Sequence, residues 1–84
     1  MKIKWIIRNK KEVSGHEYTL IEERPILPPK GMVFAIGKLI DEAYVDDYYG
    51  DIPAKADYDF EIYLHTDDND GLEKLPSIGW TPNE

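Results

Sequence analysis

Residues 56–65 alternate polar and apolar positions almost without a break, with Asp57, Asp59 and Glu61 on one parity and Tyr58, Phe60, Ile62 and Leu64 on the other. A period of two belongs to a half-buried β-strand, so the stretch predicts a strand whose Tyr58, Phe60, Ile62 and Leu64 face the core. Residues 2–8 repeat the pattern, with Ile3, Trp5 and Ile7 against Lys2, Lys4 and Arg8, interrupted only by Ile6. Residues 17–23 predict a further strand, with Tyr18 and Leu20 inward and Ile21 assignable to either side. The apolar run 32–36, then Gly37-Lys38, then Leu39-Ile40 reads as a hairpin on a type II′ turn joining strands 32–36 and 39–45. Leu39, Ile40, Ala43, Tyr44 and Asp47 or Tyr48 also fall near helical spacing, which leaves one helix near 38–49 as the alternative. Val45 and the tyrosines favour the strand.

Turn chemistry fills the intervals. Residues 9–16 carry Asn-Lys-Lys and Ser-Gly and read as a turn or exposed loop; 24–31, with Pro25, Pro28, Pro29 and Gly31, reads as an extended connector or edge segment. Gly50 and Pro53 predict a loop over 49–55, and the Asp/Asn-rich 66–71 predicts a turn ending in Asp70-Gly71. Pro76, Gly79 and Pro82 make 72–84 an irregular tail, with Trp80 folding back over one end of the core. The expected fold is mainly β, a small five-stranded antiparallel barrel or sandwich in a single domain spanning 1–84, with α+β as the alternative.

A basic aromatic strand, a Pro-x-x-Gly approach (Pro28 to Gly31), an apolar strand, an acidic Tyr-containing strand and an alternating closing strand follow one another, and the likeness they carry covers 17–67. This order resembles short phage- and mobile-element-encoded proteins with SH3-like barrels. The resemblance implies an accessory factor or inhibitor of host machinery and no catalytic residues. The 49–56 loop and the C-terminal tail lie outside its pattern.

Composition narrows the function more than the fold. Eighty-four residues predict a radius of gyration of roughly 12 Å, too small a body for a deep catalytic cleft. With 42% hydrophobic and 12% aromatic residues the chain is not a candidate for disorder. The absence of cysteine removes disulfides and thiolate metal sites and fits a reducing compartment. Residues 1–11 are too interrupted by charge for a signal-peptide core and no run approaches a membrane span, so the expected location is cytoplasmic, with no membrane partner. The net charge of −7 argues against direct binding to a nucleic-acid backbone.

That charge is unevenly spread. Residues 1–40 hold eight bases and four acids, 41–70 hold eleven acids and one base (Lys55), and 71–84 are net −1. A chain of this polarity can pair its own halves, assemble head to tail with a second copy, or present an acidic face to a basic protein. Five of the six tyrosines lie between 44 and 63, and tyrosine among acids is an interface composition. The candidate partner-binding set is therefore Asp46, Asp47, Tyr48, Tyr49, Asp51, Asp57, Asp59, Glu61, Tyr63, Asp67 and Asp68. Alternate residues on a strand are about 6.7 Å apart, whereas a DNA strand carries a charge every 3.4 Å or so, so Asp57, Asp59 and Glu61 alone are too sparse to imitate phosphates. Mimicry requires the runs at 41–51 and 67–70 to converge beside them.

Other chemistries fare worse. Asp67-Asp68-Asn69-Asp70-Gly71 fits no register of a calcium loop, because starting at Asp67 places Gly71 at the fifth position and Ile78 at the twelfth. His16 and His65 without cysteine are a poor zinc set, so no metal or cofactor is expected. No phosphate-binding glycine loop, nucleophile elbow or His-Glu-x-x-His pattern is present, and the chain reads as non-enzymatic. Single-stranded nucleic acid could use Lys2, Lys4, Arg8, Lys10 and Lys11 with Trp5 as a stacking platform, although Trp5 shares the inward parity of Ile3 and Ile7.

Overall fold

Residues 1–11 and 16–83 are described by the computed structural model; the Ser14-Gly15 part of the loop expected at 9–16 lies outside them. Among the described residues the chain forms six strands: β1 (Lys2–Asn9), β2 (Glu17–Glu23), β3 (Val33–Ile36), β4 (Ile40–Tyr49), β5 (Phe60–Thr66) and β6 (Thr81–Asn83). They make one sheet in the order β3-β4-β5-β1-β2-β6. The mainly β class holds. The five-stranded antiparallel barrel does not: there is a sixth strand, β1 runs parallel to β5, and the sheet is open, ending in β3 on one side and β6 on the other. The radius of gyration is 12.2 Å.

Parallel pairing of β1 and β5 explains the departure. Parallel neighbours cannot be joined by a hairpin and need a crossover. Two segments cross the same face of the sheet. The first runs from β2 to β3, four strand spacings or about 19 Å away. Residues 24–32 cover that span without helix or strand, bending at Pro25-Ile26 and turning at Lys30-Gly31, where Met32 N–H donates to Pro29 O (3.2 Å). Arg24 N–H donates to Met1 O (2.8 Å) at its start, and Leu27 packs on the core midway. The second crossover carries α1 (Asn69–Lys74) and a 3-10 turn (Leu75–Ile78) from β5 to β6, seating Leu72, Leu75 and Trp80 on the core.

Between sheet and crossovers lie Ile3, Trp5 and Ile7 of β1, Tyr18 of β2, Val45 of β4, and Ile62 and Leu64 of β5. The pairings Trp5↔Ile62 and Ile7↔Leu64 place these side chains in adjacent rows. Phe60 is half-buried at the edge of this cluster. Tyr58, expected inward, is not: β5 begins at Phe60, so Tyr58 stands outside the ladder and turns to the opposite face.

The region 38–49 is strand, and the helical alternative is not formed. The hairpin forms at Gly37-Lys38, with Leu39 N–H donating to Ile36 O (3.2 Å) and Gly37 at φ 55°, but its loop is three residues and not the expected two: Ile36 pairs with Ile40, and Leu39 belongs to the turn. The helix-like spacing comes from two register shifts. One lies between the pairs Phe34↔Ala43 and Ile36↔Ile40, the other between Val45↔Leu64 and Asp47↔Tyr63. Each inserts an extra residue, so inward positions fall at Ile40, Ala43, Val45 and Tyr48 instead of strictly every second residue. Tyr48 therefore packs against the core and is not on the outer face.

The expected 66–71 turn is the start of α1, and the tail after it is ordered through β6. Asp68 caps the helix by accepting from Gly71 N–H at 2.9 Å. Gly71 is required by a close approach: a Cβ there would lie 2.4 Å from the backbone oxygen of Leu39 and 2.7 Å from Ile40 Cγ1. Gly71→Ala is expected to lower unfolding free energy by about 1–3 kcal/mol through overpacking. Asp68→Ala is expected to lower it by about 1 kcal/mol through loss of the cap. Urea denaturation measures both, and a Gly71→Ala midpoint equal to wild type would contradict the packing described.

Candidate interaction face

The two crossovers cover one face of the sheet only. On the other face stand Lys2, Lys4, Ile6 and Arg8 of β1, Glu17, Thr19, Ile21 and Glu23 of β2, and Glu61, Tyr63 and His65 of β5. The β4 bulge turns both Asp46 and Asp47 this way, beside Tyr44 and Tyr49. Ile6, the residue that breaks the alternation of the first strand, is the floor of this face. It lies between Thr19 and Tyr63 and retains only 4% exposure.

Tyrosines surround that floor. Tyr49 and Tyr63 meet edge to face with centroids 5.4 Å apart, and Tyr49 is 53% exposed. Tyr58 donates its hydroxyl to Glu61 (3.0 Å) while Lys4 Nζ sits 5.2 Å from its ring centroid, so it folds onto the same face. Tyr44 stacks on His65 at 4.9 Å and donates to Glu42 Oε2 at 2.7 Å; His65 Nδ1 lies 2.5 Å from Asp46 Oδ1. Aromatic side chains and the buried Ile6 thus occupy the middle of this face, and acids its β4 side.

The candidate residues separate into groups. Asp46, Asp47, Tyr49, Glu61 and Tyr63 share this outer face. Tyr48 does not; its ring faces the core side and receives Lys30 Nζ at 5.3 Å. Asp67 and Asp68 join Asp41, Glu42, Tyr44 and Thr66 around a shallow hollow beyond the end of β5, where Asp68 is occupied in capping α1. Asp51 and Asp57 are exposed in the loop at the opposite end. Asp59 is structural: its carboxylate accepts from Lys2 N–H (2.9 Å) and its N–H donates to Lys2 O (2.8 Å), extending the β1–β5 ladder. The runs 41–51 and 67–70 thus meet at the hollow beyond β5, but the Asp57–Asp59 end of the third run does not join them. Asp59 and Asp67 flank a seven-residue strand, and eight steps of about 3.3 Å put them roughly 26 Å apart.

The basic N-terminal strand is not a free cationic stripe. β1 lies inside the sheet, with Lys2 opposite Glu23 and Lys4 opposite Glu61. Trp5 is buried and donates Nε1–H to Glu22 at 2.9 Å, so it offers no stacking platform. Among the described residues no helix is long and apolar enough to cross a membrane. Comparisons with protein-family models, curated proteins and solved structures give no match.

Sequence reasoning missed Ile6, Ile21, Lys4 and the Tyr44–His65 pair as parts of this face. Their signal was the parity opposite to the core in β1 and β5, where Ile6, Tyr63 and His65 carry rings or apolar bulk on the solvent side.

Three of the tyrosines titrate high. Hydrogen bonding to Glu42 raises the Tyr44 phenol, and hydrogen bonding to Glu61 raises that of Tyr58. Burial raises Tyr63, with Glu61 adding to it. Because the folded values lie above the unfolded value of about 10, their stabilising contribution is complete below that pH and is lost as pH rises through the folded values. Glu61→Gln keeps an acceptor without the charge, and is expected to lower the phenolate titration midpoints of Tyr58 and Tyr63 while leaving Tyr44 in place. Ultraviolet titration of the phenolates checks this; unchanged midpoints would contradict the contacts.

Proposed function

We propose that this protein is a non-enzymatic binding module that docks the outer face of its β4–β5–β1 sheet onto a basic surface of another protein. The observation that carries the reading is the exposed Tyr49 packed edge to face on Tyr63, beside the buried Ile6, with Asp46, Asp47 and Glu61 around them. Rigid aromatic groups on a sheet supply contact area at low entropy cost, and the acids supply orientation and encounter rate. A nucleic-acid-handling protein is a suitable basic partner, and inhibition by occupying its cationic site is the corresponding mode of action. The mode is occupation and not imitation of a phosphate backbone, since acids 26 Å or so apart do not reproduce phosphate spacing.

Direct nucleic-acid binding through β1 is disfavoured by the acids opposite Lys2 and Lys4 and by the burial of Trp5.

Asp47→Lys with Tyr49→Ala alters two exposed side chains without touching the core. In affinity capture from a native lysate, this pair is expected to reduce recovery of the retained basic protein by about tenfold or more, whereas Asp57→Lys, at the far loop, leaves it near wild type. Recovery should also fall steeply as salt rises, because exposed charges are screened within about 8–10 Å. Equal recovery by the double variant rejects the face. Gel retardation of single-stranded DNA at low salt, retained by the double variant, would instead favour β1.

A further inference from the structure

The two edges of the sheet are treated differently. β6 is three residues long and has Pro82 at its centre, a poor template for further pairing. β3 reads Val-Phe-Ala-Ile, without charge or proline, and its edge is prolonged by Gly31 and Met32, which hydrogen-bond to Val45 of β4. Exposed apolar bulk gathers along this edge. Ile26, Met32, Val33 and Ile78 are four of the seven large apolar side chains exposed among the described residues, with Ile26 at 73%. Ile78 reaches the β3–β4 turn, its Cδ1 3.3 Å from where a Cβ on Gly37 would lie.

Beside the edge, between β3 and the proline connector, lies a groove of about 410 Å³ whose walls include Trp5, Ile26, Pro28, Met32, Phe34 and Ala35. Its one ionic group is Arg24, paired with Glu22 at 2.7 Å, and the indole N–H of Trp5 is already donated to Glu22. The groove therefore suits apolar side chains. Charge limits the occupant further. In a chain of net −7, residues 25–40 contain no acid and two lysines, Lys30 and Lys38, with Arg24 immediately before them. Lys30 is paired with Asp47 at 2.9 Å and Arg24 with Glu22, which leaves Lys38, exposed in the β3–β4 turn and in none of the ion pairs among the described residues, as the cation this edge offers a partner.

We propose that the β3 edge accepts an extended, apolar segment of another protein flanked by acidic residues, pairing by β-strand addition and dropping alternate side chains into the Trp5–Phe34 groove. Backbone pairing supplies the affinity, the groove reads every second residue at intervals of about 6.7 Å, and Lys38 reads a flanking acid. The groove is on the other side of the sheet from the Tyr49–Tyr63 face, and Lys30, in the connector beside it, is paired with Asp47 of that face.

A fluorescent synthetic peptide of alternating valine and threonine, ended with aspartates, tests the proposal against the same peptide ended with lysines and against one N-methylated at alternate amides. The aspartate peptide is expected to bind about tenfold or more tightly than the lysine peptide by anisotropy, and N-methylation to abolish binding. Its amide shifts should map to 31–37. Lys38→Glu, in the exposed turn, should weaken binding about fivefold, and Ala35→Asp should weaken it more, while Tyr49→Ala leaves it unchanged. Absence of binding at submillimolar peptide, equal binding of both end-charge forms, or shifts confined to Tyr49 and Tyr63 would overturn the proposal. Concentration-dependent shifts at 31–37 without peptide would also overturn it, in favour of self-pairing.

Discussion

The parallel pairing of β1 with β5 is the constraint from which the rest of the molecule follows. It places the first strand inside the sheet, so Ile3, Trp5 and Ile7 are flanked on both sides and become the centre of the core. It also denies β5 a hairpin partner on that side, and the chain reaches β3 and β6 only by crossing the sheet. Both crossovers take the same face, because that is where the apolar parity of β1, β2 and β5 points. One face is consequently sealed by a proline strut and a short helix, and the other is left to water.

A body of this size cannot cover two sheet faces. With the available helix and connector spent on one of them, the second must be soluble through its own side chains. The chain meets this demand with cross-strand pairs of opposite charge, Lys2 with Glu23 and Lys4 with Glu61, and with tyrosines whose hydroxyls find carboxylates. The exception is Ile6, shielded laterally by Thr19 and Tyr63. Its side chain is only 4% exposed, so at the middle of the outer face it is packed among its neighbours and presents almost no apolar surface to water.

Much of this was legible in the chain. The strands 2–8 and 17–23, a hairpin at Gly37-Lys38, a proline connector without helix or strand and the return of Trp80 to the core all appear where the residue patterns put them. What failed did so for local reasons. Two bulges in β4 shifted its inward positions to a spacing that imitates a helix and turned Tyr48 inward. Tyr58 continued an alternation that the ladder no longer enforced, because pairing starts at Phe60. The helix at 69–74 was hidden by its own capping chemistry: Asp68, Asn69, Asp70 and Gly71 are turn residues, and only Leu72 and Leu75 one turn apart betray a buried helical side. Parallel pairing and sheet order are tertiary choices with no short-range signature, so the barrel expectation had nothing local to correct it. The convergence of acids was likewise undecidable until strand length separated Asp59 from Asp67.

The unequal edges of the sheet set how far association can go. Growth of a sheet by repeated addition needs every new subunit to offer a receptive edge at its far side. A strand added at β3, as proposed, leaves at the far side an edge of three described residues centred on Pro82, a poor template for a further strand.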